Sequence, residues 1–193
     1  MNLLLTNVEK AIVELEARLE ILNIELKSKG FNSIEHIKSR IKSNESIKAK
    51  LNKKGLEYTT ENVRTYIRDL GGVRATVLFV DDIYRIFNFI KFQKDFEITR
   101  VKDYIKTPKQ SGYQSLHMNI LIPIQTENGI EKVEIELQVR TTGMDFFASV
   151  EHLLQYKNDK ELDDSISKRL FKCSKMVSAL DKELYDIYRI LSS

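Results

Sequence analysis

Apolar residues in the first part of the chain recur every three or four positions. Charged residues fill the positions between them from residue 3 to residue 28, which predicts an amphipathic helix that ends at Gly30. Its apolar stripe consists of Ile12, Leu15, Leu19, Leu22 and Leu26. Three shorter helices are predicted next: one that starts at Ser33 and includes residues 35–37, one over residues 45–54 capped by Ser43 or Asn44, and one over residues 61–70 capped by Thr60.

The pattern becomes extended after Gly72. Residues 73–80 are largely β-branched and apolar, as in a central strand. Alternating segments predict three more strands, and Asn128-Gly129 predicts a hairpin turn between the last two. These strands are expected over residues 96–105, 115–124 and 132–141. Helical spacing returns in three segments, over residues 82–91 after a capping Asp81, over residues 143–157 and over residues 163–191.

These elements predict one domain of the α/β (α+β) class, with a mostly antiparallel sheet of four or five strands and helices on its faces and at both chain ends. We expect helical extensions over residues 1–32 and 159–193 around a core of residues 33–158. The length of 193 residues, with 42% hydrophobic residues, only 2 prolines and 7 glycines, agrees with a single folded unit without flexible linkers.

Composition also bears on where the protein works. No stretch approaches the 18 consecutive apolar residues of a membrane span. The N-terminus has only three leucines in a row with no basic region before them, so no secretory signal is expected. The single Cys173 cannot form an internal disulfide. We therefore expect a cytoplasmic protein without a membrane partner.

Charge is nearly balanced, with 31 basic and 28 acidic residues and a formal net charge of +3. This excess is too small to indicate a DNA-binding protein from composition alone. Locally, residues 38–54 contain seven basic residues against the single acid Glu45. Such a run is either a solvated helix face or part of a binding site.

Two clusters contain groups suited to phosphate chemistry. Residues 69–74, Asp-Leu-Gly-Gly-Val-Arg, combine a tight turn with a carboxylate for a divalent cation and an arginine for a phosphate or base, although a plain turn has the same pattern. Residues 100–109 carry four basic residues, of which Arg100 and Lys102 share one face of the strand. This cluster is either a phosphate-binding patch or an edge strand protected by lysines.

Two further clusters lie on predicted strands. In residues 111–117, Ser-Gly-Tyr-Gln-Ser-Leu-His, the glycine should expose Tyr113 for stacking on a base, and His117 is either a donor to phosphate or ribose or a structural residue. In residues 134–141, Glu-Ile-Glu-Leu-Gln-Val-Arg-Thr, alternate polar side chains share one face, which is either solvent-exposed or an active site. Residues 144–152, Met-Asp-Phe-Phe-Ala-Ser-Val-Glu-His, follow on a helix.

In this order and at these spacings, the clusters resemble the synthetase domain of the RelA/SpoT family. The similarity runs almost continuously from Arg40 to Lys157. Each motif is weak alone, but the ordered set is specific. It comprises the basic segment at residues 40–50, the Asp-x-x-Gly-x-Arg motif at residues 69–74, the helix start at residues 79–84, the hexapeptide Gly-Tyr-Gln-Ser-Leu-His at residues 112–117, and residues 136–141 with the helix after them.

The resemblance implies a nucleotidyltransferase-like mixed sheet of about five strands and a pyrophosphokinase that transfers pyrophosphate from ATP to the 3′-hydroxyl of GDP or GTP, giving AMP and ppGpp or pppGpp. It implies Mg²⁺ as a cofactor bound by Asp69 and Glu136, and Glu136 would also draw the proton from the hydroxyl. The residues implied for ATP are Arg40, Lys42, Ser46, Lys50 and Arg74, the two arginines holding the adenine. The residues implied for GDP or GTP are Lys102, Lys109, Tyr113, Gln114 and His117, with Tyr113 stacked on guanine.

Three positions depart from the family pattern. Phe147 stands where tryptophan is frequent, Gly143 where alanine is usual, and Gln110 where some relatives have an acid. We expect Gly143 to loosen the start of its helix, and none of the three changes removes a catalytic group. The hydrolase domain of long relatives is rich in histidine, and 193 residues with three histidines leave no room for it. We therefore expect a synthetase only.

Two other functions stay open at this stage. The chain could be a toxin-like pyrophosphokinase that acts on the 3′ end of tRNA, although the weak net charge argues against a large RNA surface. RNA is therefore possible as a partner but not required. A nucleotide-sensing module without catalysis is the other possibility, and the presence of both Asp69 and Glu136 argues against it.

The terminal helices predict an assembly. A small sheet can cover only part of two long apolar stripes, and uncovered stripes of this length mark an interface. The alternative is that both helices pack on their own sheet and on each other. We expect a homo-oligomer through these helices, and the resemblance to homotetrameric relatives implies four subunits. The stripe of the last helix consists of Ile166, Leu170, Val177, Leu184 and Ile187.

Overall fold

Six helices and five strands make up the part of the chain that the computed structural model describes, which is residues 1–31, 34–156 and 163–192. The helices are α1 (Asn2–Ser28), α2 (Asn44–Asn52), α3 (Thr60–Tyr66), α4 (Val80–Phe92), α5 (Thr142–Tyr156) and α6 (Asp164–Leu191). The strands are β1 (His36–Ile41), β2 (Gly71–Val77), β3 (Glu97–Asp103), β4 (Leu116–Thr126) and β5 (Gly129–Thr141).

The strands form one sheet in the order β1-β2-β5-β4-β3. β2 and β5 run parallel, and the other three neighbouring pairs are antiparallel. The expected mixed, mostly antiparallel sheet is therefore confirmed. The hairpin between β4 and β5 turns at the predicted Asn128-Gly129, where Gly129 has a φ of 109°. Only glycine adopts this backbone conformation without strain.

One face of the sheet is apolar and lies under α1. Val73, Leu137 and Met118 are neighbours across β2, β5 and β4, and each is at most 1% exposed. A Cβ atom added to Gly71 would lie 2.7 Å from Val8 Cγ1 of α1, so the helix rests directly on the backbone of β2. Fully burying one such side chain contributes about 1.5–3 kcal/mol, which makes this layer the main source of stability.

The other face of the sheet is polar along its central strands. Glu136 lies opposite Gly72, and Gln138 lies opposite Arg74 on one side and His117 on the other. Because side chains alternate across a strand, the apolar layer under α1 leaves these groups together on the far side. The predicted shared face of Glu134, Glu136, Gln138 and Arg140 is thus confirmed, and the last three of these residues form the floor of the candidate site.

Residues 35–37 do not form a helix, and this prediction is wrong. His36 and Ile37 are the first residues of β1, which pairs antiparallel with β2 along its whole length. Ile37 and Ile41 are four residues apart, a spacing that suits a helix as well as a strand. The segment forms a strand because its backbone pairs with the edge of β2. If it were a short helix, the N–H and C=O groups along that edge would lack these partners. Ser33 and the predicted domain boundaries at residues 32/33 and 158/159 lie outside the described residues.

Two predicted helix caps also differ. Thr59 rather than Thr60 caps α3, with its hydroxyl accepting a hydrogen bond from the Asn62 N–H at 3.1 Å. No side chain caps α4, which begins at Val80 instead of following Asp81. Ser43 does cap α2, as one of the two predicted candidates. These shifts of one or two residues are typical of helix ends.

The apolar stripe of α1 is covered by the subunit's own sheet. All five predicted residues of that stripe are at most 8% exposed. The expectation that this stripe stays uncovered and contacts another subunit is therefore wrong. α6 differs, because Leu170 is buried but Ile166, Leu184 and Ile187 are 40–49% exposed. Among the described residues, no helix has the length and apolar character that would let it cross a membrane.

Candidate active site

A cleft of about 740 Å³ opens over the polar face of the sheet, and we call it the large compartment. It is lined by residues from all five strands, the loop before β4, and α5. A pocket of about 190 Å³, the small compartment, adjoins it beside β1 and β2. Four residues line both compartments: Arg40, Arg74, Glu136 and Gln138. Glu136 therefore stands where the two spaces meet.

Asp69 lies in the small compartment, immediately before β2, and two lysines hold it. Lys42 Nζ donates to Asp69 Oδ2 at 2.7 Å, and Lys50 Nζ of α2 donates to Oδ1 at 2.8 Å. Burial alone would raise the pKa of Asp69, but the hydrogen bonds and charges of the two lysines lower it overall. The structure thus brings two predicted ATP residues, Lys42 and Lys50, to the ionised carboxylate of the predicted metal ligand Asp69.

Arg40 and Arg74 face the same space from neighbouring strands. Arg40 lies on the edge strand β1 opposite Gly72, and Arg74 on β2 donates to Asp145 Oδ1 at 3.1 Å. Ser46 is less involved, since it is exposed in the first turn of α2 and hydrogen-bonds to Ser43. It lines neither compartment.

The carboxylates fit a magnesium site that the substrate must complete. Asp69 and Glu136 line the same small compartment, and the pKa of each is lowered. Within the described ranges, no group of three or more His, Cys, Asp or Glu side chains could hold a metal ion on its own. Two carboxylates beside an open pocket suit Mg²⁺, which proteins usually bind through one or two carboxylates plus phosphates and water.

Glu136 accepts hydrogen bonds on both oxygens. His117 Nδ1 lies 3.2 Å from Oε1, and Gln138 Nε2 donates to Oε2 at 2.8 Å. These contacts, led by the bond from His117, lower the pKa of Glu136 despite its burial. The carboxylate is therefore held in its ionised form with a defined orientation.

Arg140 lies behind this pair and is almost fully buried, with 6% of its side chain exposed. Its Nη2 donates to Gln138 Oε1 at 2.9 Å and to the Tyr113 hydroxyl. The Tyr113 hydroxyl in turn lies 2.8 Å from His117 Nε2. The side chains of Glu136, His117, Tyr113, Arg140 and Gln138 thus form a closed ring of hydrogen bonds on the cleft floor.

Tyr113 is not exposed by Gly112, and that expectation is wrong. Only 8% of Tyr113 is exposed, because Lys109 Nζ lies 4.4 Å and Arg140 Cζ 5.1 Å from the centre of its ring. Tyr104 stands at the ring edge, with its centroid 5.9 Å away. A base could stack on Tyr113 only if Lys109 moved from the ring.

Lys102, Lys109 and His117 all line the large compartment, but Gln114 does not. Gln114 Oε1 accepts a hydrogen bond from Ser178 of α6 at 2.6 Å, so this side chain faces away from the cleft. Gly112 has a φ of 90°, and a Cβ atom there would lie 2.1 Å from Ser174 Oγ. The glycine is needed because α6 passes directly behind the hexapeptide.

Gly143 also has a packing role. A Cβ atom at this position would lie 2.7 Å from Asp181 Oδ1 and 2.9 Å from Val177 Cγ1. The missing side chain lets α6 approach the start of α5, where Thr141 Oγ1 donates to Asp181 Oδ2 at 2.5 Å. The expected loosening of the helix start is therefore offset by close contact with α6.

Several residues of the site were not among the predicted ligands. Gln138, Arg140 and Tyr104 all line the large compartment, and Asp145 binds both Arg74 and Arg140. The alternation of residues 134–140 put Gln138 and Arg140 on the same face as Glu136, so this signal could have identified them. Asp145 could not be found in that way, because its position depends on how α5 packs against the sheet.

Comparison with known proteins agrees with this geometry. Residues 39–161 match the family model for the region found in RelA and SpoT proteins. The chain is 43% identical over 158 residues to GTP pyrophosphokinase YwaC of Bacillus subtilis (strain 168), covering 82% of this chain and 75% of that protein. It is 34% identical over 179 residues to GTP pyrophosphokinase YjbM of the same organism, covering 92% and 83%.

Solved structures lead to the same family. The chain superimposes on small alarmone synthetase 1 from Bacillus subtilis bound to its product pppGpp with a TM-score of 0.86 and 32% identity. The match covers 96% of this chain and 95% of the other. The family resemblance inferred from the motifs is confirmed, and the chain belongs to the RelA/SpoT family.

Proposed function

We propose that the cleft transfers pyrophosphate from ATP to the 3′-hydroxyl of GDP or GTP, giving AMP and ppGpp or pppGpp. Two similar proteins are named GTP pyrophosphokinases, and a similar small alarmone synthetase was solved with its product pppGpp bound. The observation that carries the proposal is the position of Glu136, which borders both compartments. A transfer between two bound nucleotides needs reacting groups at such a meeting point.

ATP binds in the small compartment in this proposal. Lys42 and Lys50 exchange Asp69 for the phosphates of ATP, and Arg40 and Arg74 hold the adenine between them. The lysine side chains are 19% and 41% exposed, so they can reach a new partner without unfolding their surroundings. Ser46, exposed at the start of α2, adds a phosphate contact from the N-terminal end of that helix.

GDP or GTP binds in the large compartment. Lys102 and Lys109 bind its phosphates, and the departure of Lys109 from the Tyr113 ring opens a face for the guanine. His117 uses both ring nitrogens in contacts with Tyr113 and Glu136, so contact with a phosphate requires that one of these hydrogen bonds break. Gln114 contributes from behind the site, by holding the hexapeptide on α6.

The chemistry is an attack of the 3′-oxygen on the β-phosphorus of ATP. A bond forms between these atoms, the bond from the β-phosphorus to the bridging oxygen of the α-phosphate breaks, and AMP leaves with that oxygen. Glu136 takes the proton of the 3′-hydroxyl. Asp69 and Glu136 would hold Mg²⁺, which neutralises charge on the transferred phosphates when bound. The lysines and arginines stabilise the remaining negative charge.

Incubating the purified protein with Mg²⁺, ATP labelled on the β-phosphate and one acceptor at a time tests this function. We expect label in ppGpp with GDP, in pppGpp with GTP, and none on tRNA. Label found only on tRNA would show that tRNA, and not a guanine nucleotide, is the acceptor. Binding of both nucleotides without any transfer would show that the protein is a nucleotide-sensing module.

We further propose that the protein is a homotetramer in the cytoplasm. α6 presents an exposed stripe at spacings of three and four residues, Met176, Leu180, Leu184, Ile187 and Leu191, which are 45–81% exposed. A continuous apolar stripe of this length suits a helix of another subunit. ATP and a guanine nucleotide as substrates, together with one exposed free cysteine, suit the reducing cytoplasm.

Light scattering tests the assembly. We expect a mass of four times 22.5 kDa, and a lower mass after Leu180→Glu combined with Leu184→Lys. Val177 is unsuitable for this test, because its side chain packs beside Gly143 within the subunit. Glu183→Lys on the same helix is the control and should leave the mass unchanged. A mass of 22.5 kDa for the unmodified protein at micromolar concentration would contradict the assembly.

A further inference from the structure

We propose that Arg140 is a positioning residue that holds the Glu136 carboxylate in its working orientation through two separate hydrogen-bonded branches. The proposal rests on the function proposed above, in which Glu136 takes the proton of the acceptor hydroxyl. Arg140 does not reach Glu136 itself. It acts through Gln138 on one side and through Tyr113 and His117 on the other.

Two hydrogen bonds outside the ring hold the Arg140 side chain in place. Its Nη1 donates to Asp145 Oδ1 at 3.1 Å, and its Nε donates to Ser115 Oγ at 3.4 Å. Asp145 lies on α5 and Ser115 precedes β4, while Arg140 itself is on β5. A guanidinium group is planar and donates in fixed directions, so these two anchors determine where Nη2 points.

The two branches start from the same nitrogen. Nη2 donates to Gln138 Oε1 at 2.9 Å, which turns the amide so that its nitrogen donates to Glu136 Oε2 at 2.8 Å. Nη2 also donates to the Tyr113 hydroxyl, whose own hydrogen then points to His117 Nε2 at 2.8 Å. His117 Nδ1 is left as the donor to Glu136 Oε1 at 3.2 Å.

The polarity of both branches follows from their ends. Arginine has only donors, and an ionised carboxylate has only acceptors. Every side chain between them must therefore accept on the Arg140 side and donate on the Glu136 side. Each oxygen of Glu136 receives one of the two branches, so loss of a single branch leaves the other to hold the carboxylate. Loss of Arg140 weakens both.

The burial of Arg140 agrees with a task of this kind. A charged side chain with 6% exposure is retained only when nearly all of its donors are satisfied. Here all three nitrogens are used, and two of the four acceptors belong to the ring around Glu136. An arginine needed only for packing between β4 and α5 would require just the contacts with Ser115 and Asp145.

The test compares kcat and KM for five full-length variants: Arg140→Lys, Gln138→Leu, Tyr113→Phe, the Gln138→Leu/Tyr113→Phe double variant, and the triple variant that adds Arg140→Lys. We expect Arg140→Lys to lower kcat about 10- to 100-fold, the usual cost of losing a group that orients a ligand. KM for ATP should change less than kcat. Gln138→Leu and Tyr113→Phe should each lower kcat only a few-fold, because one branch remains.

The decisive result is how the losses combine. If both branches hold one carboxylate, the fold decrease in kcat of the double variant should be far larger than the product of the fold decreases of the two single variants. It should approach the decrease seen for Arg140→Lys. Adding Arg140→Lys to the double variant should then change kcat by less than about twofold. Losses that multiply independently in all of these combinations would overturn the proposal.

Arg18→Lys is the matched control. Arg18 also donates to three side chains, Glu14, Gln93 and Asp95, but lies on α1 away from the cleft. It should keep kcat within twofold. If Arg140→Lys does not fold, the combination of Gln138→Leu with Tyr113→Phe still decides the question. If the unmodified protein transfers pyrophosphate normally but the variants lose kcat independently of one another, only the positioning role is contradicted. If the unmodified protein shows no transfer, the proposed function is contradicted as well.

Discussion

Asp69 and Glu136 are carboxylates at the same pocket, but they are held by different kinds of interaction. Asp69 is bound by two lysines whose side chains are 19% and 41% exposed. Glu136 is bound by a histidine with 11% of its side chain exposed and by Gln138, which Arg140 supports from behind. The first arrangement consists of partly buried ion pairs, and the second is a hydrogen-bonded network that continues into the buried side chains of Tyr113 and Arg140.

The difference indicates how each half of the site responds to substrate. Lys42 and Lys50 can exchange Asp69 for phosphates, because the new partner is also anionic and no charge is left unpaired. A buried network costs more to open, because every broken bond leaves an unsatisfied polar group in a low-dielectric environment. We infer that the ATP half rearranges on binding, whereas the floor around Glu136 is already organised for the reaction.

Asp69→Ala and Glu136→Ala should have the largest effects. Each removes a proposed metal-binding carboxylate, and Glu136→Ala also removes the proton acceptor, so we expect transfer to fall by about 10²-fold or more. Melting curves should show that both variants stay folded, since neither residue belongs to the apolar core. Near-normal turnover in either variant would remove that residue from the site.

Lys42→Met and Lys50→Met should separate the two halves. A hydrogen bond to a charged group is worth about 1.5–3 kcal/mol, so we expect KM for ATP to rise about tenfold while KM for GDP stays within twofold. Lys42→Met should have the larger effect, because Lys42 is less exposed than Lys50. Lys91→Met, an exposed change on α4, is the control. Equal increases in both KM values would show that the halves are not independent.

Tyr113→Ala should weaken the acceptor half. Stacking of an aromatic side chain on a base is worth roughly 1–3 kcal/mol, so KM for GDP should rise more than KM for ATP. The same change also removes the contact with His117, and a fall in kcat is therefore expected as well. Tyr113→Phe keeps the ring and should leave KM for GDP nearly unchanged. A large rise in that KM for the phenylalanine variant would show that stacking is not the main contact.

Asp181→Asn should have the smallest effect and tests the support behind the acceptor half. Burial raises the pKa of Asp181, so the folded protein holds this proton more tightly than the unfolded chain does. The free energy of unfolding therefore falls as the pH rises through the raised pKa. At neutral pH we expect asparagine, which can still accept from Thr141, to raise Tm by no more than about 2–4 °C.

The comparison of Tm at about pH 4 and about pH 7 is the check on that prediction. The advantage of asparagine should shrink at the lower pH, because a larger fraction of Asp181 is then protonated in the folded protein. Glu183→Gln, an exposed position on the same helix, serves as the reference. An advantage that is the same at both pH values would show that burial of the charge is not its cause.

The sequence by itself determined most of the elements and the chemistry of the polar face. Alternation in residues 134–140 placed Glu136, Gln138 and Arg140 side by side, because the direction of successive side chains in a strand does not depend on the rest of the fold. The turn at Asn128-Gly129 and the stripe of α1 were equally local signals. The ordered motifs identified the family, which the comparisons confirmed.

Only the tertiary structure decided which polar groups meet. Residues His36–Ile41 form a strand because β2 offers a free edge, although their apolar spacing also suits a helix. Tyr113 is buried because Lys109 and Arg140 cover its ring, and Gln114 turns from the cleft because α6 lies behind it. The closed ring around Glu136 joins β4, β5 and the loop before β4. Such contacts depend on distances between elements, and a local pattern of residue types contains no information about those distances.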